Sequence, residues 1–217
     1  MKQNYTEILF ILDASGSMAD ERSEAIQGLN NFIAAQKNLP GECKMTLVQF
    51  NSRYYFIDSP SWYRVIRNAV PIEEISPITK EDYIPNGGTA LLDAIGTGID
   101  QLGARLAQLP ESERPDKVLV AVLTDGNENS SFVFSADKIK EMIKHQTDVY
   151  SWTFTFLSSD IKAVNYARTL GYVGANVRYS KSISAAMNTY SKAGASYRVA
   201  SAAGPAENFF EEDEAQP

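Results

Sequence analysis

Asp13, Ser15 and Ser17 stand at alternate positions in the stretch Asp13-Ala14-Ser15-Gly16-Ser17. One carboxylate and two hydroxyls so spaced, with Gly16 easing the bend, can all face one small volume. Such a set is either a site for a hard cation or a nucleophile with its helpers. Further oxygen donors follow in Asn86-Gly87-Gly88-Thr89 and in Thr124-Asp125-Gly126. Carboxylate, hydroxyl and water oxygens suit Mg²⁺, Mn²⁺ or Ca²⁺. Two aspartates in one crevice repel unless a cation or a proton intervenes. The nucleophile reading needs a base, yet the single histidine, His145, falls on a predicted helix leading toward the opposite end of a strand. A G-x-S-x-G elbow is also absent, and an aspartyl phosphotransferase would want an acid where Ser15 stands.

These donors need elements to carry them. The apolar run Ile8-Leu9-Phe10-Ile11-Leu12 directly precedes Asp13, and Val118-Leu119-Val120-Ala121-Val122-Leu123 precedes Thr124 and Asp125. Continuous apolar runs of that length read as strands buried on both faces, the kind found inside a parallel sheet. Helical periodicity over 20–38 turns the chain back after the first, so the loop opens onto the crevice where open α/β sheets bind ligands. Gly87 and Gly88 allow close backbone approach and put Thr89 at or near the start of a helix carrying Leu91, Leu92, Ile95, Ile99, Leu102 and Leu106.

Elsewhere, 45–50 reads as a strand, Asn51-Ser52 as a tight turn, and 53–58 as an aromatic edge strand returning antiparallel. Residues 59–86 read as irregular, with Pro60, Pro71, Pro77 and Pro85 breaking any long element. Helices are expected over 136–144, 161–170 and 182–192, and strands over 149–156 and 177–179. Strand and helix alternate nearly throughout, which predicts a mostly parallel sheet covered on both faces. From residue 200 the composition shifts to an acidic tail expected to be disordered, leaving 1–199 as one domain.

Composition narrows the function. A net charge of −7 and a pI near 4.8 argue against generic binding to a phosphate backbone. A single cysteine, Cys43, excludes an intramolecular disulfide and a cysteine-based zinc cluster, and suits a reducing cytoplasm. The N-terminus runs into the first strand without a cleavable signal, and no apolar run is long enough to span a bilayer.

Taken together, Asp13-x-Ser15-x-Ser17, the G-G-T ending in Thr89 and the T-D-G around Asp125 resemble the metal ion-dependent adhesion site (MIDAS) of von Willebrand factor A domains, over roughly residues 5–195. The resemblance implies an α/β, three-layer, doubly wound sheet ordered 3-2-1-4-5-6 with one antiparallel edge strand. It implies that Ser15, Ser17 and Thr89 offer hydroxyls to a magnesium-like ion (Mg²⁺, Mn²⁺ or Ca²⁺), while Asp13 and Asp125 bind it directly or through waters. It further implies an interaction module and not an enzyme, whose ion is bridged by an Asp or Glu carboxylate of a partner protein. Intracellular members are commonly linked to AAA ATPases or large assemblies, so an adaptor role is implied.

Each feature also has a plainer reading. On the plainer reading, the hydroxyls of the Asp13 loop only cap the next helix. Asn127-Glu128-Asn129 is either a polar loop or a set of hydrogen bonds that orient ligands, and Asp93 is either a supporting acid or a solvated one. The cluster of Tyr54, Tyr55, Phe56, Trp62 and Tyr63 with Arg53, Arg64 and Arg67 divides between core, protein contact and a single-strand nucleic-acid platform. In the tail, Phe209-Phe210 followed by acids reads as a solvated charge run or as a docking peptide that occupies this or a neighbouring metal site.

Overall fold

The computed structural model describes residues 1–52, 62–172, 176–200, 205–206 and 208–210. Six strands form one sheet: β1 (Lys2–Asp13), β2 (Glu42–Phe50), β3 (Tyr63–Pro71), β4 (Pro115–Thr124), β5 (Thr153–Ser158) and β6 (Val177–Tyr179). Their order is β3-β2-β1-β4-β5-β6, and every pairing is parallel except that of β2 with β3. The expected three-layer, doubly wound α/β architecture is therefore the observed one.

The pleat of β1 explains why its apolar run is unbroken. Successive side chains leave a strand on opposite faces. Ile8, Phe10 and Leu12 enter one core, shared with α1 (Met18–Lys37) and α5 (Ile183–Val199). Leu9 and Ile11 enter the other, under α2 (Leu91–Ala107), α3 (Ala136–Tyr150) and α4 (Ile161–Thr169). Each such side chain contributes roughly 1.5–3 kcal/mol by leaving water. The two helices on the first face touch closely: a Cβ built on Gly28 of α1 would lie 2.7 Å from Cβ and Cγ of Met187 on α5.

Four expectations need correction. The antiparallel edge strand among the described residues is Tyr63–Pro71, inside the stretch read as irregular; the strand expected over 53–58 falls outside the described set. Its branched residues Val65 and Val70 pair with β2, Ile66 falls at an irregularity in the register, and Pro71 sits at the strand's end, where an edge tolerates it. Asn51-Ser52 is no tight turn, because the Asn51 N–H donates to the Trp62 carbonyl at 2.8 Å across a longer connection. Helix α3 runs on through Val149 and Tyr150, both exposed, and stops at left-handed Ser151 (φ 58°), so β5 begins only at Thr153.

The fourth correction concerns the C-terminus. Phe209 and Phe210 are buried at 5% and 2% exposure, stacked about Tyr190 and Tyr197 of α5. Asn176 holds the segment at both ends, donating to the Ala206 carbonyl (2.7 Å) and accepting from the Phe209 N–H (2.8 Å). The packed chain thus extends beyond the boundary expected at 199, and this aromatic pair is core, not an exposed docking anchor. The same end of α5 is tied down by two buried cations. Lys117 Nζ donates to the carbonyls of Tyr197 and Arg198 at 3.0 Å each, and Arg198 donates to the Gln36 carbonyl at 2.7 Å.

Candidate metal centre

β1 and β4 are adjacent and parallel, so their carboxyl ends lie side by side. Asp13 closes β1, and Asp125 immediately follows Thr124, the last residue of β4. The Asp13 carboxylate is fully buried; Oδ1 accepts from the Ser15 N–H at 2.7 Å and Oδ2 from the Thr124 hydroxyl at 2.5 Å. Those bonds turn the loop so that Ser15 Oγ lies 3.1 Å from Ser17 Oγ.

Ser17 occupies the N-cap of α1, yet it makes no capping bond. Its hydroxyl donates instead to Asp125 Oδ1 at 2.8 Å, across 108 positions of sequence. Thr89 makes no cap either, since α2 takes Ala90 as its N-cap with no side-chain bond. Helix capping therefore does not account for these hydroxyls. A Cβ built on Gly126 would lie 3.7 Å from Ser17 Oγ and 3.8 Å from Thr89 Oγ1, so both hydroxyls flank the residue after Asp125. All five predicted donors converge on one end of the sheet.

Backbone contacts between the three loops hold this arrangement. Gly16 N–H donates to the Gly87 carbonyl at 2.9 Å, and Asn86 N–H to the Ala14 carbonyl at 2.8 Å. Gly87 takes φ +73°, a conformation glycine adopts without penalty. A Cβ at Gly88 would come within 2.6 Å of Ser130 Oγ, so the glycine pair is needed where two loops press together.

Three of the supporting residues, Asn51, Ser52 and Tyr83, escape a reading of the sequence. Asn51 donates to Asn86 Oδ1 (2.6 Å), and Ser52 Oγ accepts from the Gly88 N–H (2.9 Å), so the end of β2 steadies the glycine loop. Asn129 clasps Thr89 from both sides: its Oδ1 accepts from the Thr89 N–H at 2.9 Å and its own N–H donates to the Thr89 carbonyl at 3.0 Å. The Tyr83 hydroxyl donates to the Asp13 carbonyl at 2.5 Å. Thr124, adjacent to Asp125 at a strand end, and Asn129, in the polar loop after it, carried a local signal. Of the paired readings, Asn129 orients a donor residue, and buried Asp93 holds the backbone of the loop after β4.

Among the described residues the site gathers acids. Burial pushes the Asp13 carboxyl up to about 7, with Asp125 adding to the rise and the bonds from Thr124 and Ser15 opposing it. Burial also raises Asp125, helped by Asp160 and opposed by the Ser17 hydroxyl. Glu21 is raised by burial and then by Asp125; its Oε2 is buried without a hydrogen-bond partner. Crowded carboxylates and bare hydroxyls are what a hard divalent cation would satisfy. Among the described residues no group of three or more His, Cys, Asp or Glu side chains could hold a metal, so hydroxyls must complete any donor set here.

The aromatic and arginine patch has other duties where it is described. Tyr63 is buried, Arg64 donates to the Asp82 carbonyl, and Arg67 pairs with Asp82 at 3.5 Å. Arg53, Tyr54, Tyr55 and Phe56 lie outside the described residues. His145 stands near the end of α3, edge-on to Tyr150, and Cys43 is buried in the core.

A doubly wound sheet with hydroxyls and carboxylates gathered where β1 and β4 end defines a Rossmann-like module with those oxygens along one rim of its sheet. The chain belongs to the von Willebrand factor type A domain family, whose model matches residues 7–170. Such domains are typically interaction modules and commonly mediate metal-dependent protein binding. No curated protein sequence matches the chain. Among solved structures it is similar to the pilus adhesin SpaC from Lactobacillus rhamnosus GG (18% identity, TM-score 0.65, 91% of this chain and 30% of that one). It is also similar to proximal thread matrix protein 1 from the mussel byssus, solved with a zinc-occupied MIDAS motif (19%, 0.52, 88% and 46%). A third is a von Willebrand factor type A protein from Catenulispora acidiphila (17%, 0.58, 89% and 43%). The chain spans less than half the length of each. No helix among the described residues is long and apolar enough to cross a membrane.

Proposed function

We propose that this domain binds a divalent cation at Asp13, Ser15, Ser17, Thr89 and Asp125 and uses it to hold a carboxylate of a partner protein. The observation that carries the reading is the Ser17 hydroxyl, which leaves a helix cap unmade to meet Asp125 on another strand's loop. Hydroxyls with two carboxylates fit Mg²⁺, Mn²⁺ or Ca²⁺ better than a soft ion. Ser15, Ser17 and Thr89 are neutral, so a cation held there keeps net charge with which to attract one further anionic oxygen. Bound there, the ion would supply electrostatic attraction for the incoming carboxylate, and the chain's own residues would position it.

An adaptor role within a larger assembly is the setting this reading favours, with a Lys- or Arg-flanked acidic residue on the partner. A byssus matrix protein and a pilus adhesin among the similar structures support protein binding; neither points to an AAA ATPase. A cytoplasmic location rests on the lone buried Cys43 alone. Calorimetric titration with Mg²⁺, Mn²⁺ and Ca²⁺ tests the proposal. One ion per chain is expected, and none for Asp13→Ala or Asp125→Ala. A parent protein that takes up none of the three ions would end it.

A further inference from the structure

Phe132 and Val133 are 64% and 60% exposed, although the loop that carries them is firmly held. The buried carboxylate of Asp93, in the first turn of α2, accepts from the N–H groups of Phe132 (3.0 Å), Val133 (2.8 Å) and Phe134 (2.9 Å). Just upstream, Glu128 accepts from the N–H groups of Ser130 (2.8 Å) and Ser131 (2.7 Å) and from the N–H of Leu92 (2.9 Å). Phe134 fills a notch at Gly96, where a Cβ would lie 2.5 Å from its ring. Two acids and one aromatic plug therefore fix the loop's backbone while two large apolar side chains face outward.

Position gives this exposure a meaning. The loop starts at Asn129, which clasps Thr89 of the candidate metal centre. Phe132 lies three positions after Asn129, a reach of at most about 11 Å. Asp93, which holds both N–H groups, lies four residues after Thr89, so the backbone of the apolar pair stands about one helical turn from the donor set. A rigidly displayed aromatic loses little conformational freedom on binding, and such side chains dominate protein interfaces.

We propose that Phe132 and Val133 are the apolar anchors of the partner interface, packing against apolar side chains next to the partner's metal-directed acid. The inference rests on the function proposed above. The occupant is a different protein with basic residues around that acid. Asp125, Asp160, Glu21 and Glu24 make the rim acidic, so a second copy of this chain would set like charges face to face, and an anionic membrane would meet the same repulsion.

Random peptides displayed on phage, selected on the full chain in Mg²⁺ and eluted with EDTA, supply the probe. Selected sequences should pair Asp or Glu with apolar and basic residues. The Phe132→Ser/Val133→Ser variant should bind them about tenfold or more weakly, still require Mg²⁺ and melt at the parental temperature; Asp125→Ala should lose them. Mg²⁺-dependent peptides that bind the double variant as tightly as the parent overturn the anchor assignment and leave the metal-bridging function standing. Recovery of no EDTA-released peptide overturns both.

Discussion

The Ser17 hydroxyl donates to Asp125 Oδ1 at 2.8 Å, joining the loop after β1 to the loop after β4. Behind that bond the Asp13 carboxylate is fully buried, its two oxygens accepting from the Ser15 N–H and the Thr124 hydroxyl. A fold that gathers ionisable acids in this way carries an electrostatic cost in the metal-free state, and relief of that cost is a measurable signature of metal binding.

Asp125→Asn should therefore separate stability from binding. Removing one of two crowded charges leaves the metal-free melting temperature equal to or above that of the parent. The gain on adding Mg²⁺ should vanish in the variant, whereas the parent at a hundredfold excess over Kd gains about 2.7 kcal/mol. Thermal unfolding with and without Mg²⁺ checks both arms.

Protons should compete with the metal. With Asp13 raised from 3.8 to about 7, the folded metal-free protein holds a proton that the unfolded chain has released across that window. Its stability from this group is full below pH 3.8 and is lost as pH rises through about 7. Metal uptake needs the ionised carboxylate, so apparent affinity should climb from pH 5.5 toward pH 7.5 and then level off, with proton release at the lower pH. Titrations in two buffers of different ionisation enthalpy measure that release.

Asp93→Ala should loosen the loop after β4. Three backbone N–H groups lose their acceptor, and each buried donor left unpaired costs about 1–3 kcal/mol, less where water enters. Amide hydrogen exchange at residues 132–134 should speed up in the variant. Unchanged exchange there would show that something other than this carboxylate holds the loop.

What could be read in the sequence follows from how local its cause is. β1 and β4 are buried on both faces, so their apolar runs are unbroken and visible. The donor types at Asp13, Ser15, Ser17, Thr89 and Asp125 are visible too, because short loops fix their spacing. β3 is an edge strand with Arg64, Arg67 and Pro71 in it, and such a pattern does not announce a strand. Helix α3 overrides the strand preference of Val149 and Tyr150 because neither side chain is buried, leaving Ser151 to end the helix. Asn51 and Ser52 act on residues 35 and 36 positions away, and contacts at that range leave no mark on local periodicity.

The clearest departure from the acidic-tail expectation gives the last prediction. A disordered tail can be cut without consequence, but Phe209 lies among Tyr190, Tyr197 and Phe210, with its ring 4.0 Å from where a Cβ on Gly194 would sit. Replacing a buried phenylalanine by alanine typically costs about 3–5 kcal/mol. Phe209→Ala should lower the urea midpoint by that measure, and truncation after Val199 by at least as much, since truncation also removes the Ala206 and Phe209 bonds to Asn176. Tyr190, stacked on Phe32 and Phe10, would then face a void, so the loss should reach β1 through α5. An unchanged midpoint after truncation would mean that the aromatic pair contributes nothing to the core and that the domain ends with α5.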